Sequence, residues 1–192
     1  MTKERPGRPR LRLFVALALP VDFLERLDHW RSDAYAMLPA FRLPASSGLH
    51  VTLVFLGYQY ERDLERLKQL ALADPPGRLD LQAGEVVPVP PRRPRLHALE
   101  LEDGSGTLTA WQSEVSARLA AARLYRPEKR PFWPHLTIAR AKRGREREAV
   151  GVEPPCLPRT LQEPFSAEQV ALYSSTLRPA GAVYEALASA QL

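Results

Sequence analysis

The chain is short of the residues that build covalent or metal frameworks. One cysteine, Cys156, in 192 residues excludes an internal disulfide and any zinc site made of several thiolates. It reads as a plain structural thiol, in keeping with a reducing compartment. Long apolar runs are missing too: Leu13 to Leu19 falls far short of the roughly 20 residues that cross a bilayer. The basic flank of that run, Lys3, Arg5, Arg8 and Arg10, imitates a secretory leader, but Asp22 and Glu25 follow at helical spacing. The expectation is a cytoplasmic protein with no membrane contact. Acidic residues are in deficit, 22 against 27 Lys and Arg, and the net charge of +5 favours anionic partners, nucleic acid foremost. Histidine is rare, with four in all.

Two of those four fall in one pattern. Leu49-His50-Val51-Thr52-Leu53-Val54-Phe55-Leu56-Gly57 and Pro134-His135-Leu136-Thr137-Ile138-Ala139-Arg140 are β-branched and aliphatic runs that each carry His-x-Thr. In a strand the His and Thr share a face about 7 Å apart, while Val51 and Leu53, or Leu136 and Ile138, face a core. With four histidines and seven threonines the pattern is expected roughly 0.15 times, so chance supplies two copies in about one chain in a hundred. Two structural histidines capping strand hydrogen bonds are the plainer reading, and the doubling counts against it.

Around these strands the chain reads as α+β. At 192 residues it can bury one good core, or two small lobes sharing one. Residues 1–10 are expected to be a flexible basic tail and 11–192 a single bilobal domain. Leu11 to Leu19 reads as a strand stopped by Pro20. Phe23, Leu27, Trp30 and Ala34 mark a helix, with His29 on its surface, and Leu64, Leu67, Leu70 and Ala71 mark a second. Pro39 to Gly48, with Arg42, is expected to be a loop. Leu79 to Val89 and Arg95 to Leu101 are strands; His97, in the latter, has no Thr two residues on and reads as structural. Leu108, Trp111, Val115, Leu119 and Ala122 give the clearest helical stripe. Pro154, Pro155, Pro158 and Pro164 mark an irregular connection, and 170–177 with 183–187 a closing hairpin. Strand, helix, His strand thus occurs twice, the pattern of a duplication paired about a pseudo-twofold axis.

The doubled motif, the Phe-Leu-Gly after the first copy, the Pro before the second and Arg140 after it resemble the two-histidine (2H) phosphoesterases. The nearest branch is the RNA 2′,3′-cyclic phosphodiesterases, also called 2′-5′ RNA ligases. Arg12 to Leu17 and Leu172 to Leu177 with Gly181 to Tyr184 extend the likeness over nearly the whole chain. The resemblance implies a two-lobed fold with antiparallel sheets lining a central cleft, helices outside, and an RNA bearing a 2′,3′-cyclic phosphate end as partner. It implies His50 as proton donor to the leaving O3′, His135 as acceptor that activates water, and Thr52 and Thr137 as phosphate binders. The scheme needs neither cofactor nor metal, and the expected protein is a monomer without an obligate protein partner. From chemistry alone either imidazole can be acid or base, since histidine titrates near neutrality. Arg140 is the harder assignment: strict alternation from His135 turns it away from the site, so a phosphate contact there requires a bulge. The run Arg140 to Arg147 and the aromatics Phe14, Phe55, Phe132 and Trp133 are further candidates for RNA backbone and bases, Trp133 foremost among the rings. The alternatives are 2′-5′ ligation by the same acid and base, and a non-catalytic RNA-binding module.

Overall fold

The structure, a computed structural model, describes residues 10–178 and 181–192. The expected tail through residue 9, and Pro179 and Ala180 of the closing turn, lie outside the described residues. Along the chain run β1 (Arg10–Ala18), α1 (Val21–Ala34), β2 (Phe41–Arg42), β3 (Val51–Tyr60), α2 (Leu64–Ala71), β4 (Leu79–Val89), β5 (Leu96–Glu102), α3 (Thr107–Ala121), β6 (His135–Ala141), β7 (Phe165–Ala167), β8 (Gln169–Arg178) and β9 (Gly181–Gln191). Arg10 is already strand. The stretch expected to be a loop before the first His strand holds β2 and a 3-10 turn, Ser46–Gly48. The proline-rich connection holds a 3-10 turn, Arg159–Leu161, and leads to β7. β2 and β7 are too short to show alternation; they exist because an open edge of β6 or β4 gives their backbone a partner.

The strands form two antiparallel sheets, ordered β3-β1-β8-β9 and β2-β6-β5-β4-β7. Each His strand pairs with the strand that precedes its helix, β3 with β1 and β6 with β5. The helices are exchanged between the sheets. α1, which follows a strand of the first sheet, packs on the second, with Phe23 stacked on Phe165 at 4.1 Å and Tyr35 bonded to His97. α3, which follows a strand of the second sheet, packs on β3 of the first and against α2. One continuous core results, running from Leu13, Val15 and Leu17 through Phe23 and Leu27 to Leu99, Leu119, Leu136 and Leu172. Among the described residues no helix is long and apolar enough to cross a membrane.

The two His strands share a defect. In β3 the register against β1 slips between Val54 and Thr52, leaving Leu53 without a partner. In β6 the register against β5 slips between Ala139 and Thr137, leaving Ile138 without one. Each bulge lies three residues after its histidine. Each makes two consecutive residues face the core, Leu53 and Val54 or Ile138 and Ala139, and returns the next side chain, Phe55 or Arg140, to the face of His and Thr. A helix side chain bonds the carbonyl of each bulged residue: Gln112 of α3 donates to Leu53 at 3.1 Å, and Arg31 of α1 to Ile138 at 3.4 Å.

Candidate active site

His50 stands one residue before β3 and His135 opens β6, and the same local geometry holds both. His50 Nδ1 is 2.8 Å from the carbonyl of Gly48, and His135 Nδ1 is 2.8 Å from the carbonyl of Trp133. A carbonyl only accepts, so each Nδ1 carries the proton and donates it, leaving each Nε2 free for chemistry. Each ring also rests on an aromatic: Phe14 stacks on His50 at 4.7 Å and Trp133 on His135 at 4.1 Å. Tyr184 of β9 meets His50 edge-on at 5.0 Å.

His50, Thr52, His135, Thr137 and Arg140 all line one open cavity of about 820 Å³ between the two sheets. Arg12, Arg42 and Arg178 line it as well, and among the described residues no Asp or Glu does. Among the described residues none of these four arginines has a carboxylate within ion-pair distance. Four guanidiniums that no described carboxylate pairs with make the cleft wall electropositive, a field that attracts anions. Among the described residues, no three of His, Cys, Asp and Glu come together as a metal ion would require.

The electrostatics of the cleft follow. Burial holds the His50 pKa down to about 4; the Gly48 carbonyl opposes this, while the charges of Arg140 and His135 reinforce it. Free His50 is therefore neutral at pH 7. Arg140 is held below the ordinary guanidinium range by desolvation, with Arg42 adding to the shift and Tyr184 opposing it. Arg42 and Arg140 sit directly across from one another in the β2–β6 pairing.

Several candidates fall elsewhere. His97 is fully buried behind the sheet, its Nδ1 2.9 Å from the Tyr35 hydroxyl, and burial lowers its pKa to about 4. His29 is exposed on α1. Trp133, read as the ring best placed for a base, gives one face to His135 and its indole N–H to Glu100 at 3.0 Å, outside the cavity lining. Of the basic run Arg140 to Arg147 only Arg140, still within β6, lines the cavity; Arg145 is tied to Glu148 and to the Pro39 carbonyl. Four charged or aromatic residues of the cavity were not read as site candidates from the sequence: Arg12, Arg42, Arg178 and Tyr184. Arg12 was within reach, because the alternation Leu11, Leu13, Val15 against Arg12, Phe14 already puts it on the non-core face.

The profile of the 2′-5′ RNA ligase superfamily matches residues 19–175. The chain belongs to this superfamily. An RNA 2′,3′-cyclic phosphodiesterase of Escherichia coli strain K12 is 31% identical over 150 residues, 75% of this chain and 77% of that protein. One from Methanocaldococcus jannaschii is 24% identical over 177 residues, 92% of this chain and 98% of the other. The crystal structure of Escherichia coli LigT with 3′-AMP superposes with a TM-score of 0.76 at 27% identity, covering 96% of this chain and 99% of that one. The likeness extends over both lobes, so the α+β fold with two sheets about a cleft is that of the superfamily.

Proposed function

We propose that the protein hydrolyses RNA 2′,3′-cyclic phosphate ends to 2′-phosphomonoesters, with His50 and His135 as the acid and base. The observation that carries this reading is that both His-x-Thr strands present a free Nε2 to one arginine-lined cavity. The cyclic phosphodiesterase relatives support the same reaction. His135 Nε2 takes a proton from water as the oxygen attacks phosphorus. The P–O3′ bond breaks, and O3′ leaves with a proton from His50 Nε2. Thr52 and Thr137 hydroxyls donate to the non-bridging oxygens, and Arg140 balances the charge they gain in the transition state. The two rings end with their protons exchanged and return to the starting state through solvent.

His50 is neutral in the free protein, so the donor role depends on the substrate. A phosphate anion between the rings cancels the repulsion from Arg140 and His135 and adds its own attraction, raising the His50 pKa. Binding and protonation are thus one step. The exposed Cys156 fits a cytoplasmic protein, and we read it as a monomer acting without an obligate protein partner, which sedimentation at working concentration tests.

The deciding assay incubates an oligonucleotide ending in a 2′,3′-cyclic phosphate with the protein in chelator. Release of a 2′-phosphate end is expected. Joined strands would make the ligation reading correct, and retention without chemistry would leave an RNA-binding module.

A further inference from the structure

The two motifs correspond residue by residue, in burial and in the place of the bulge, until the last position. After the second bulge the cleft receives Arg140; after the first it receives Phe55, which has no charge. A guanidinium is nonetheless present there. Arg12, on the neighbouring strand β1, lays its guanidinium over the Phe55 ring with the Cζ 4.5 Å from the ring centroid. Its Nη1 donates to the Ser175 hydroxyl of β8 at 2.7 Å. Stacking covers a face of the guanidinium and leaves its in-plane N–H edge open. One of five donors is used by Ser175, and among the described residues no carboxylate takes the rest. Arg12 lines the same cavity as the histidines.

Three residues of strand separate Phe55 from Thr52, at most about 10 Å. That places the Arg12 edge beyond the phosphate held by the two threonines, within reach of the next phosphate of a strand whose terminal nucleotide occupies the site. We propose that Arg12, stacked on Phe55 and braced by Ser175, is a second phosphate subsite that takes the phosphodiester on the 5′ side of the terminal nucleotide. The protein then selects strands over mononucleotides. This rests on the hydrolytic reading above and adds a residue and a substrate class to it. A planar, braced guanidinium suits a phosphodiester because two parallel N–H bonds match two phosphate oxygens, and a lysine would supply only a point charge.

The test compares uridine 2′,3′-cyclic phosphate with the dinucleotide UpU ending in a 2′,3′-cyclic phosphate, in chelator. The wild-type protein is expected to favour the dinucleotide in kcat/KM by tenfold or more. Arg12→Gln brings that ratio close to one, chiefly by raising KM for the dinucleotide, and Arg12→Lys recovers part of the preference. Arg12→Gln also flattens the salt dependence for the dinucleotide by about one ion. Ser175→Ala, which keeps the charge and frees its brace, gives an intermediate ratio. Equal losses on both substrates, or a wild-type ratio near one, overturn the subsite. If the wild-type protein hydrolyses neither compound, the hydrolytic reading has failed, and the subsite is judged by calorimetric binding of uridine 2′-phosphate and of UpU 2′-phosphate. It stands if the wild-type protein binds the dinucleotide at least tenfold tighter and Arg12→Gln does not, and falls otherwise.

Discussion

His50 and His135 are held alike through Nδ1 yet live in different fields, because His50 is half-buried, stacked on Phe14 and within the field of Arg140. Truncation to alanine at either position is expected to cut turnover by a factor of a hundred or more, with the unfolding midpoint little changed, as neither ring fills the core. Near-wild-type turnover in either variant would falsify the paired scheme. Thr52→Ala should cost less, about tenfold to a hundredfold, through weaker stabilisation of the phosphoryl oxygens. Proton linkage gives a second expectation. Since an anion raises the His50 pKa from about 4, the complex holds more protons than its parts, and affinity for sulfate, which takes up no proton of its own in this range, should increase as pH falls from neutrality toward 4. Calorimetry in buffers of different ionisation enthalpy reads that uptake directly. Stability moves the other way. His50 and His97 are both depressed in the folded state, so their contribution is complete above the unfolded histidine value near 6.5 and is lost as pH falls to about 4. Denaturant midpoints at pH 7 and pH 5 should show the decline.

The elements that matter most are the two bulged strands and the helix side chains that bond them. Arg31 is 1% exposed; it pairs with Asp28, bonds the Ser46 hydroxyl of the turn leading to His50, and reaches the bulge carbonyl of Ile138. A buried guanidinium thus ties the turn of the first motif to the bulge of the second. Arg31→Met should destabilise the protein by about 1–3 kcal/mol, because the groups it bonded are left unmet. It should also lower kcat more than it raises KM, since it loosens both arms of the site at once. An unchanged kcat in a folded Arg31→Met protein would mean that the arms hold their positions without it. The stripe Phe23, Leu27, Trp30, Ala34 was legible as a helix, but its most buried members are Phe23, Leu27 and Arg31. A charged residue at a core position is a feature that periodicity alone assigns to the surface.

Across the whole molecule the exchange of α1 and α3 between the sheets makes the lobes interdependent. Neither sheet is covered by its own sequence neighbour, so neither half of the chain buries its apolar face alone. Trp30 of α1 and Trp111 of α3 report on the two sides, and their fluorescence should fall in one transition coincident with the far-UV signal. Two separated transitions would show lobes that fold independently. Phe23→Ala, which removes a fully buried ring stacked on Phe165, should cost about 3–5 kcal/mol and move that single transition as a unit.

The sequence by itself determined the local chemistry: which strands carry His and Thr on one face, where α1, α2 and α3 run, and that the charge balance favours an anionic partner. All of these rest on side-chain periodicity and net charge, which neighbouring residues set. Tertiary structure decided the rest. Whether Arg140 faces the cleft depends on a bulge at Ile138, and a bulge is a property of the pairing between β6 and β5, invisible in β6 alone. Arg12 joins the site because Phe55 and Ser175 come to it from two other strands. The cavity itself exists because two sheets, each covered by the other's helix, turn their arginine-bearing faces toward one another.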